Sequence, residues 1–390
     1  MTTTAGAPIL IANIGSTSFK YRLFDMAGEP TVLGHGKVER IGQPGGDCPD
    51  YETALASCMA TIVGPDKPLA SAAELRGIGF KAVHAGTVSG TRLIDNEVLA
   101  AMEEFSFFAP AHNPPYIAAM RAFHKAVPQV PLVALFETAF FDQLDEASVT
   151  YAVPYRWKQE DGVRRYGFHG ASHRAASDRA RVLCGGDLRH ISCHLGGSSS
   201  LAAVFCGVAI DTSFGISPQS GLPQNNRVGD IDVFAALYLM EKHGLTVHEM
   251  ARILATESGL AGISGGTGDI RDLTSGAAAG NARDQLALDV YVRSIRHYLG
   301  AFLVELGGVD VITFSGGIGE NSVEIRAAVC QGLEGFGIVM DAERNRMLHG
   351  EGAISPEGAA VKILVLPADE EIVVARAVGA FLGLGSQGDS

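Results

Sequence analysis

The chain has 390 residues, of which 47% are hydrophobic and 19% are charged. This length predicts two domains with sizeable cores, and the composition argues against intrinsic disorder. The 43 acidic residues outnumber the 30 basic ones and give a formal net charge of −13, which disfavours a nucleic acid as the main partner.

The cysteines and the N-terminus indicate the cellular compartment. The six cysteines form no Cys-x-x-Cys pair and have no regular spacing, so neither a disulfide framework nor a zinc site is expected, and a reducing cytoplasm fits best. The N-terminal MTTTAGAPIL lacks the basic segment of a signal peptide, and no apolar run is long enough to cross a membrane. These features predict a soluble, cytoplasmic protein.

The first predicted element is a hairpin in residues 9–25, ILIANIGSTSFKYRLFD. β-branched and aromatic residues predict a strand on each side of the short stretch NIGSTS. Backbone N–H groups and hydroxyls at a turn that contains Gly15 would suit a phosphate group, because they present several donors without bulk. An ordinary polar hairpin turn fits the same residues equally well, so this segment alone leaves both interpretations open.

A second hairpin of the same kind lies half a chain later. Residues 190–211, HISCHLGGSSSLAAVFCGVAID, combine two strand-like runs with a glycine–serine turn. Two such hairpins predict duplicated domains rather than short repeats. We expect the first domain to comprise residues 1–150 and 372–390, and the second to comprise residues 151–371.

The other elements alternate between helices and strands, which is typical of an α/β protein with mixed sheets. Surface loops are expected at residues 42–50 and 274–281. The alternation consists of amphipathic helices at 115–127 and 282–306, strands at 131–136 and 361–368, and a C-terminal helix capped by Asp369 with Glu370 and Glu371 in its first turn.

A third glycine-rich stretch follows a strand that looks buried. Residues 309–315 predict the strand, residues 316–321, GGIGEN, predict a turn, and residues 322–333 predict a helix. This order brings backbone N–H groups and the positive end of a helix to one place. The glycines do not match the G-x-G-x-x-G pattern, so a dinucleotide site is poorly supported.

Eight motifs give the chain a resemblance to a known family. The chain resembles the acetate kinases, members of the superfamily of actin, hexokinase and the heat-shock ATPases, over nearly its whole length. The resemblance implies duplicated actin-like (ribonuclease H-like) domains with mixed sheets flanked by helices, a cleft between them, and ATP-dependent phosphoryl transfer to a carboxylate. The motifs are NIGSTSFKYRLFD (13–25), APAHNPP (109–115), FETAF (136–140), RRYGFHGASH (164–173), SCHLGGSSS (192–200), GDIRDL (268–273), SGGIGENS (315–322) and PADEEIVVAR (367–376).

The resemblance also implies roles for individual residues. Asn13 and Glu370 would help to hold Mg²⁺, Glu137 would orient or polarise the acceptor, and His169 and Arg227 would stabilise the moving phosphoryl group. The residues implied to bind ATP are Lys20 near the phosphates, His194, Leu195, Gly196, Gly197 and Ser198 in the second hairpin, and Asp269, Ile270, Arg271, Gly317, Ile318, Gly319, Glu320 and Asn321 around the adenosine.

The implied acceptor site departs from the family pattern. Lys81, which would bind the acceptor carboxylate, stands where the family has arginine, and Glu137 stands where it has aspartate. The implied lining of the acceptor pocket consists of Val83, Ala111, His112, Phe168 and Pro218. Because Ala111 replaces the usual leucine, we expect an acid as large as propionate or larger. A polar acceptor, such as a hydroxy acid, is the alternative.

The sequence also leaves the identity of the phosphoryl donor open. Gly197 and Ser198 stand where the family carries asparagine and glycine, so pyrophosphate is an alternative to ATP. Two other functions fit the same cleft: a kinase that phosphorylates a sugar acid or polyol, and an actin-like ATPase that binds a partner without transferring phosphate. The family's working unit is a homodimer, and the long apolar helices are compatible with one.

Several of the implied site residues have a structural interpretation as well. His169 and His173 stand four residues apart, but two histidines without a third ligand are more often structural than metal-binding. Glu370 could instead complement the dipole of the C-terminal helix. Arg227 could form a surface salt bridge, and His112 could serve only to rigidify a loop.

Overall fold

A computed structural model describes residues 6–15, 17–46 and 48–384. The described residues form two compact units. The first comprises the residues up to Asp142 and those from Asp369 onward, and the second runs from Gln143 to Ala368. The boundaries expected from the sequence, after residues 150 and 371, lie a few residues further along the chain. Glu370 therefore belongs to the first unit rather than the second.

Each unit contains, among its described residues, one six-stranded mixed sheet. The strands of the first sheet are β1 (Pro8–Ile14), β2 (Phe19–Asp25), β3 (Thr31–Val38), β4 (Gly77–Ala82), β5 (Thr91–Leu93) and β6 (Leu132–Phe136), in the order β3-β2-β1-β4-β6-β5. The strands of the second sheet are β7 (Arg189–Leu195), β8 (Ser199–Phe205), β9 (Val208–Thr212), β10 (Val311–Ser315), β11 (Gly352–Ala353) and β12 (Lys362–Val365), in the order β11-β12-β10-β7-β8-β9.

The two sheets share one topology. In the first, β1, β2 and β3 form an antiparallel meander, β4 runs parallel to β1, β6 runs parallel to β4, and β5 is antiparallel to β6. In the second, β7, β8 and β9 form the meander, β10 runs parallel to β7, β12 runs parallel to β10, and β11 is antiparallel to β12. The predicted duplication of a mixed α/β unit is confirmed.

Helices accompany both sheets. In chain order they are α1 (Tyr51–Ile62), α2 (Asn96–Glu104), α3 (Asn113–Ala126), α4 (Glu146–Val149), α5 (Tyr155–Asp161), α6 (Gly170–Cys184), α7 (Val233–His243), α8 (Val247–Thr256), α9 (Gly259–Ser264), α10 (Ile270–Ala278), α11 (Ala282–Glu305), α12 (Gly316–Asn321), α13 (Val323–Cys330), α14 (Ala342–Met347) and α15 (Glu370–Phe381). No helix in the described ranges is long and apolar enough to span a membrane.

The core of the first unit lies between its sheet and α15. Ile11 of β1 packs with Val374 and Val378 of α15, and burial of each such side chain contributes about 1.5–3 kcal/mol. Gly79 of β4 lies under the helix, where a Cβ would come within 2.9 Å of Val378 Cγ2. The close approach of β4 and α15 fixes the first turn of this helix relative to the end of β4.

The core of the second unit is built around α11. Four large side chains of this helix, Tyr291, Ile295, Leu299 and Phe302, are spaced by three or four residues, lie on one face and are buried against the second sheet. The helix predicted over 282–306 therefore provides much of the apolar core of this unit. Its buried face packs against the strands that precede the glycine-rich stretches.

Two local predictions are wrong. GGIGEN, predicted as a turn, forms helix α12, because Gly316 has a φ of +74° and makes the sharp bend after β10. Residues 274–278, predicted as part of a loop, belong to α10, because Asp269 caps this helix and its alanines favour the helical conformation. The predicted loop at 42–50 contains neither helix nor strand among its described residues; Asp47 lies outside them.

A pair of carboxyl groups at the end of α11 makes the second unit sensitive to pH. Glu305 forms a hydrogen bond with Asp211 of β9, whose Oδ1 lies 2.9 Å from Arg165 Nη1. Partial burial of its carboxyl group, followed by the Asp211 carboxylate, raises the pKa of Glu305 to about 7 from an ordinary value of 4.5. The folded protein therefore holds a proton that the unfolded chain releases, so stability falls as the pH rises from about 4.5 to about 7.

We expect Glu305→Gln to remove this pH dependence. The folded variant should bind about one proton fewer than the folded original protein near pH 6. As the pH rises from 5 to 8, the melting temperature of the variant should therefore increase relative to that of the original protein. Thermal denaturation at four pH values in this range measures the difference. Glu343→Gln, at an exposed position of α14, is the control. Parallel stability curves for Glu305→Gln and the original protein would contradict the assignment.

Candidate active site

A pocket of about 530 Å³ in the second unit collects most of the residues predicted to bind ATP. It lies where the β7–β8 turn, the start of α10 and helix α12 meet. The predicted residues that line it are Gly196, Gly197, Asp269, Ile270, Arg271, Gly317, Ile318 and Asn321. Asn225, Thr274, Ser322 and Glu324 complete the lining without having been predicted.

The glycines of the pocket allow its backbone segments to lie close together. A Cβ at Gly316 would lie 2.6 Å from the carbonyl oxygen of Leu195, so only glycine permits α12 to start beside the end of β7. A Cβ at Gly268 would lie 2.0 Å from the carbonyl oxygen of Asn225. The Asn225 N–H in turn donates to Gly197 O at 3.2 Å, which joins this loop to the glycine–serine turn.

Asp269 and Arg271 form a fixed charged pair at the start of α10. The Arg271 guanidinium donates to both carboxylate oxygens of Asp269, at 3.0 and 2.6 Å, and the Arg271 N–H donates to the same carboxylate at 2.9 Å. These hydrogen bonds, the side-chain ones first, lower the pKa of Asp269 to about 2. Asp269 is thus charged throughout the neutral range, and the exposed guanidinium is held flat against it.

The other residues predicted to bind ATP in the second unit lie beside the pocket rather than on its lining. Leu195 is fully buried and Gly319 is buried in α12, so neither exposes a side chain. Glu320 Oε1 accepts a hydrogen bond from the backbone N–H of Ala368 at 3.1 Å. Ser198 lies in the β7–β8 turn next to Arg227, and His194 lies near the end of β7 next to His169.

Arg227 is half-buried beside the glycine–serine turn. Its Nη1 donates to Ser198 Oγ at 3.3 Å and to Gln224 Oε1 at 3.2 Å. No carboxylate of the described chain lies within ion-pair distance of it, so a surface salt bridge does not account for it. Burial lowers the pKa of Arg227 from its ordinary value of 12.5, and the group remains a cation at neutral pH because arginine starts so high.

The histidines predicted to serve the phosphates lie together. The rings of His169 and His194 are 4.4 Å apart between centroids, and His169 immediately precedes α6 with a φ of +59°. His194 Nδ1 lies 2.7 Å from Ser172 Oγ, and His169 Nδ1 lies 2.9 Å from Ser200 Oγ. The partner serines on α6 and β8 were not predicted; serines beside a histidine motif are the signal that could have found them.

Three charged side chains meet in the first unit. Lys81 at the end of β4 lies 3.5 Å from Glu137 Oε1, just after β6, and 2.5 Å from Glu370 Oε2 in the first turn of α15. They meet because the parallel strands β4 and β6 end at the same edge, to which α15 returns. Burial alone would lower the pKa of Lys81, but the two carboxylates, Glu370 above all, raise it above its ordinary value. Lys81 is a permanent cation.

Asn13 and Lys20 lie opposite each other across the β1–β2 hairpin. Two tyrosines hold this hairpin: Tyr116 OH accepts from the Ile14 N–H at 3.1 Å and lies 3.5 Å from Asn13 Oδ1, and Tyr51 OH donates to Gly15 O at 2.5 Å. Neither tyrosine was predicted from the sequence. Ser16, part of the predicted phosphate turn, lies outside the described residues.

The residues predicted to line the acceptor pocket come from both units. Val83, Ala111 and His112 belong to the first unit, where Val83 is buried, Ala111 is exposed and His112 is half-buried just before α3. Phe168 and Pro218 belong to the second; the Phe168 ring packs edge-to-face on Phe214 with centroids 5.6 Å apart. That these five residues form one pocket stays a prediction.

Comparisons with known proteins agree with this architecture. The model of the acetokinase family matches residues 8–376. The acetate kinase of Shouchella clausii (strain KSM-K16) is 40% identical over 389 residues, which cover 95% of this chain and 98% of that protein. The crystal structure of Porphyromonas gingivalis acetate kinase matches with a TM-score of 0.86 and 36% identity, over 96% of this chain and 100% of the other.

A propionate kinase from Francisella tularensis subsp. tularensis SCHU S4 matches equally well in structure. Its TM-score is 0.86 at 28% identity, over 95% of this chain and 98% of the other. The duplicated fold and these likenesses define a phosphotransferase that uses a carboxyl group as acceptor and ATP as donor. Within that class, the chain belongs to the acetokinase family.

Proposed function

We propose that the protein transfers the terminal phosphoryl group of ATP, reversibly, to acetate or a larger short-chain carboxylate such as propionate. A carboxylate oxygen forms a bond to the γ-phosphorus while the bond from that phosphorus to the leaving oxygen of ADP breaks, which leaves an acyl phosphate. The names of the relatives support both acetate and propionate as acceptors. No proton needs to leave the acceptor, since a short-chain acid is already ionised at neutral pH.

The observation that supports this proposal is the pocket of about 530 Å³ in the second unit, which is lined by eight of the residues predicted to bind ATP. The glycine–serine turn supplies backbone donors without side-chain bulk. Beside it, Arg227 and the neighbouring rings of His169 and His194 would offer donors to the phosphoryl oxygens, over which negative charge spreads during transfer.

In the first unit, Lys81 and Glu137 would serve the acceptor. The ammonium of Lys81 would attract the acceptor carboxylate, and Glu137 would hold the ammonium in place from the other side. An arginine would grip both carboxylate oxygens with a planar fork, whereas lysine provides a compact charge that tolerates more than one acceptor orientation. The tolerance of Lys81 for different acceptor orientations, together with the small side chain of Ala111, favours acids larger than acetate.

The proposed metal ion is Mg²⁺, with Asn13 and Glu370 as the protein groups that would hold it. An amide oxygen and a carboxylate are the oxygen donors that Mg²⁺ prefers. Two such groups fit the ion because it keeps several waters and takes further oxygens from the phosphates. Among the described residues, no three His, Cys, Asp or Glu side chains are grouped as a metal site. Bound Mg²⁺ would neutralise charge on the phosphates.

An acceptor screen tests the proposed function. The full-length protein is incubated with ATP or with pyrophosphate, with Mg²⁺, and with acetate, propionate, butyrate, a hydroxy acid or a sugar acid. Hydroxylamine then traps any acyl phosphate as a hydroxamate. We expect hydroxamate with ATP, and propionate used at least as efficiently as acetate. An acid-stable phosphate ester instead of hydroxamate would indicate a hydroxyl acceptor, and turnover without any acceptor would refute the proposal.

We also infer that the protein works in the cytoplasm as a homodimer. The described cysteines are all free thiols, as a reducing compartment requires. Helix α7 has no buried residue. The apolar side chains exposed on and around it are Ile231, Val233, Phe234, Leu237, Tyr238, Leu239 and Val247. A continuous exposed apolar face of this kind is typical of an interface between protein chains. A second copy of the chain is the proposed occupant.

We expect Phe234→Glu to break the dimer, because Phe234 is 74% exposed on α7 and a charge there would be buried without compensation in the interface. Size-exclusion chromatography with light scattering should give twice the chain mass for the original protein and the single mass for the variant. Phe336→Glu, at an apolar position of the same unit that is 62% exposed, is the control and should stay dimeric. A dimeric Phe234→Glu variant would exclude this face.

A further inference from the structure

Four side chains form a continuous hydrogen-bonded chain in the second unit. His173 of α6 contacts Ser192 Oγ of β7 through Nδ1 and Ser200 Oγ of β8 through Nε2, both at 2.9 Å. Ser200 Oγ also lies 2.9 Å from His169 Nδ1. His173, Ser192 and Ser200 have no solvent exposure. The order of contacts is therefore Ser192, His173, Ser200, His169, with only the last partly exposed.

Within this series of hydrogen-bonded side chains, His173 is neutral. Burial, followed by the neighbouring imidazoles of His194 and His190, lowers its pKa well below the ordinary 6.5. A neutral imidazole has one N–H and one lone pair. If the N–H of His173 is on Nδ1, its Nε2 must accept from Ser200; if it is on Nε2, its Nδ1 must accept from Ser192. The two hydrogen bonds of His173 therefore run in the same direction, either from Ser192 toward Ser200 or from Ser200 toward Ser192.

Ser192 decides that direction. Within the described ranges, its hydroxyl makes no hydrogen bond except the one to His173 Nδ1. If His173 Nδ1 donated, the buried Ser192 O–H would have no acceptor, which is costly in a protein core. Ser192 is therefore the donor. His173 then donates from Nε2 to Ser200, and the Ser200 O–H donates to His169 Nδ1.

We propose that the chain from Ser192 through His173 and Ser200 holds His169 as the neutral tautomer with its proton on Nε2. The other neutral tautomer and the imidazolium would each put a proton on His169 Nδ1 that donates to Ser200 Oγ, and either the Ser200 or the Ser192 hydroxyl would then have no acceptor. His173, Ser192 and Ser200 are thus positioning residues: they keep the proton of the neutral His169 ring on Nε2, where it can serve as a donor. The tautomer follows from the hydrogen bonds alone, and its catalytic consequence rests on the proposed function.

His194 follows the same rule. Ser172 is fully buried, and its hydroxyl makes no hydrogen bond in the described part of the chain except the one to His194 Nδ1. It therefore donates, which puts the His194 proton on Nε2. A Cβ at Gly196 would lie 3.8 Å from this nitrogen, so His194 Nε2 faces the glycine–serine turn. The two neighbouring imidazoles thus each carry an N–H donor on Nε2.

Nitrogen NMR of the full-length protein with ¹⁵N-labelled histidine tests the tautomer directly. The His169 signals, assigned by their loss in His169→Gln, should place Nδ1 in the range of an unprotonated nitrogen and Nε2 in the range of a protonated one at pH 7. Protonation of Nδ1, alone or together with Nε2, would overturn the proposal. This NMR measurement of the tautomer does not depend on enzymatic activity.

The Ser200→Ala variant tests the positioning role. Without the hydroxyl, the His169 signals should shift toward a mixture of tautomers, and kcat should fall about tenfold with little change in the KM for ATP. Ser200→Thr, which keeps a hydroxyl, should restore both. Ser355→Ala, at another buried serine of this unit, should change neither. An unchanged His169 tautomer in Ser200→Ala refutes the proposal; a changed tautomer with unchanged kcat supports it and refutes the catalytic role of His169 instead.

Discussion

Replacement of Arg227 by alanine is expected to lower kcat by about 10³-fold, with a much smaller effect on the KM for ATP. The guanidinium contacts Ser198 of the glycine–serine turn, and in the described ranges no carboxylate neutralises it. Under the proposed function, its charge would act on the phosphoryl group, over which negative charge spreads in the transition state. Steady-state kinetics with ATP and acetate, read as hydroxamate, measure both constants.

Two further arginine variants serve as an intermediate case and as a control for Arg227→Ala. Arg227→Lys keeps the charge but loses the planar fork, so its kcat should lie between those of the original protein and the alanine variant. Arg346→Ala, at an exposed position of α14, should have the original kcat and KM. If Arg227→Ala retained kcat within threefold, Arg227 would be only a structural support for the loop that contains Gln224 and Asn225.

Lys81→Met should have the largest combined effect on activity and stability. The change removes the cation between Glu137 and Glu370, whose side chains are only 4% and 15% exposed, and leaves two carboxylates facing each other. Loss of one partner from a buried ionic group costs about 3 kcal/mol. We also expect kcat/KM for the carboxylate to fall by about 10²-fold or more, because the acceptor loses its proposed cation. Urea denaturation and the hydroxamate assay measure the two effects.

A double variant separates stability from function. Lys81→Met combined with Glu137→Gln removes one of the two facing charges, so it should recover much of the lost stability while the activity stays low. Lys125→Met, which breaks an exposed 3.0 Å ion pair with Glu52, is the control and should cost at most about 1 kcal/mol. A Lys81→Met variant as stable and active as this control would exclude the proposed role of Lys81.

The parts of the fold that were correctly predicted are those where neighbouring residues along the chain decide the structure. The β1–β2 and β7–β8 hairpins follow from apolar strands on each side of a short glycine turn. Helix α11 follows from its apolar period, and α15 from the cap at Asp369, whose side chain accepts from the Ile372 N–H. The similarity of the two hairpins was enough to predict the duplication.

The predictions fail where contacts between residues far apart in the sequence determine the local structure. GGIGEN has the composition of a turn, yet it forms α12, because Gly316 bends away from Leu195 of a strand that is more than 100 residues earlier. The boundary near residue 369 depends on the packing of α15 against β4, which no local pattern of α15 reveals. Asn225 enters the pocket of the second unit only because Gly268 lets its backbone approach.

The amino-acid order by itself determined the duplicated α/β plan, the three glycine-rich stretches and the chemical types available for phosphoryl transfer, because each depends on short-range periodicity or on a contiguous motif. The tertiary structure alone decided which of these groups meet: Lys81 with Glu137 and Glu370, and Ser200 with His169 and His173. Such meetings join side chains far apart in the chain, and sheet pairing and helix packing create them. Their hydrogen bonds and charges become strong only after burial removes water from around them.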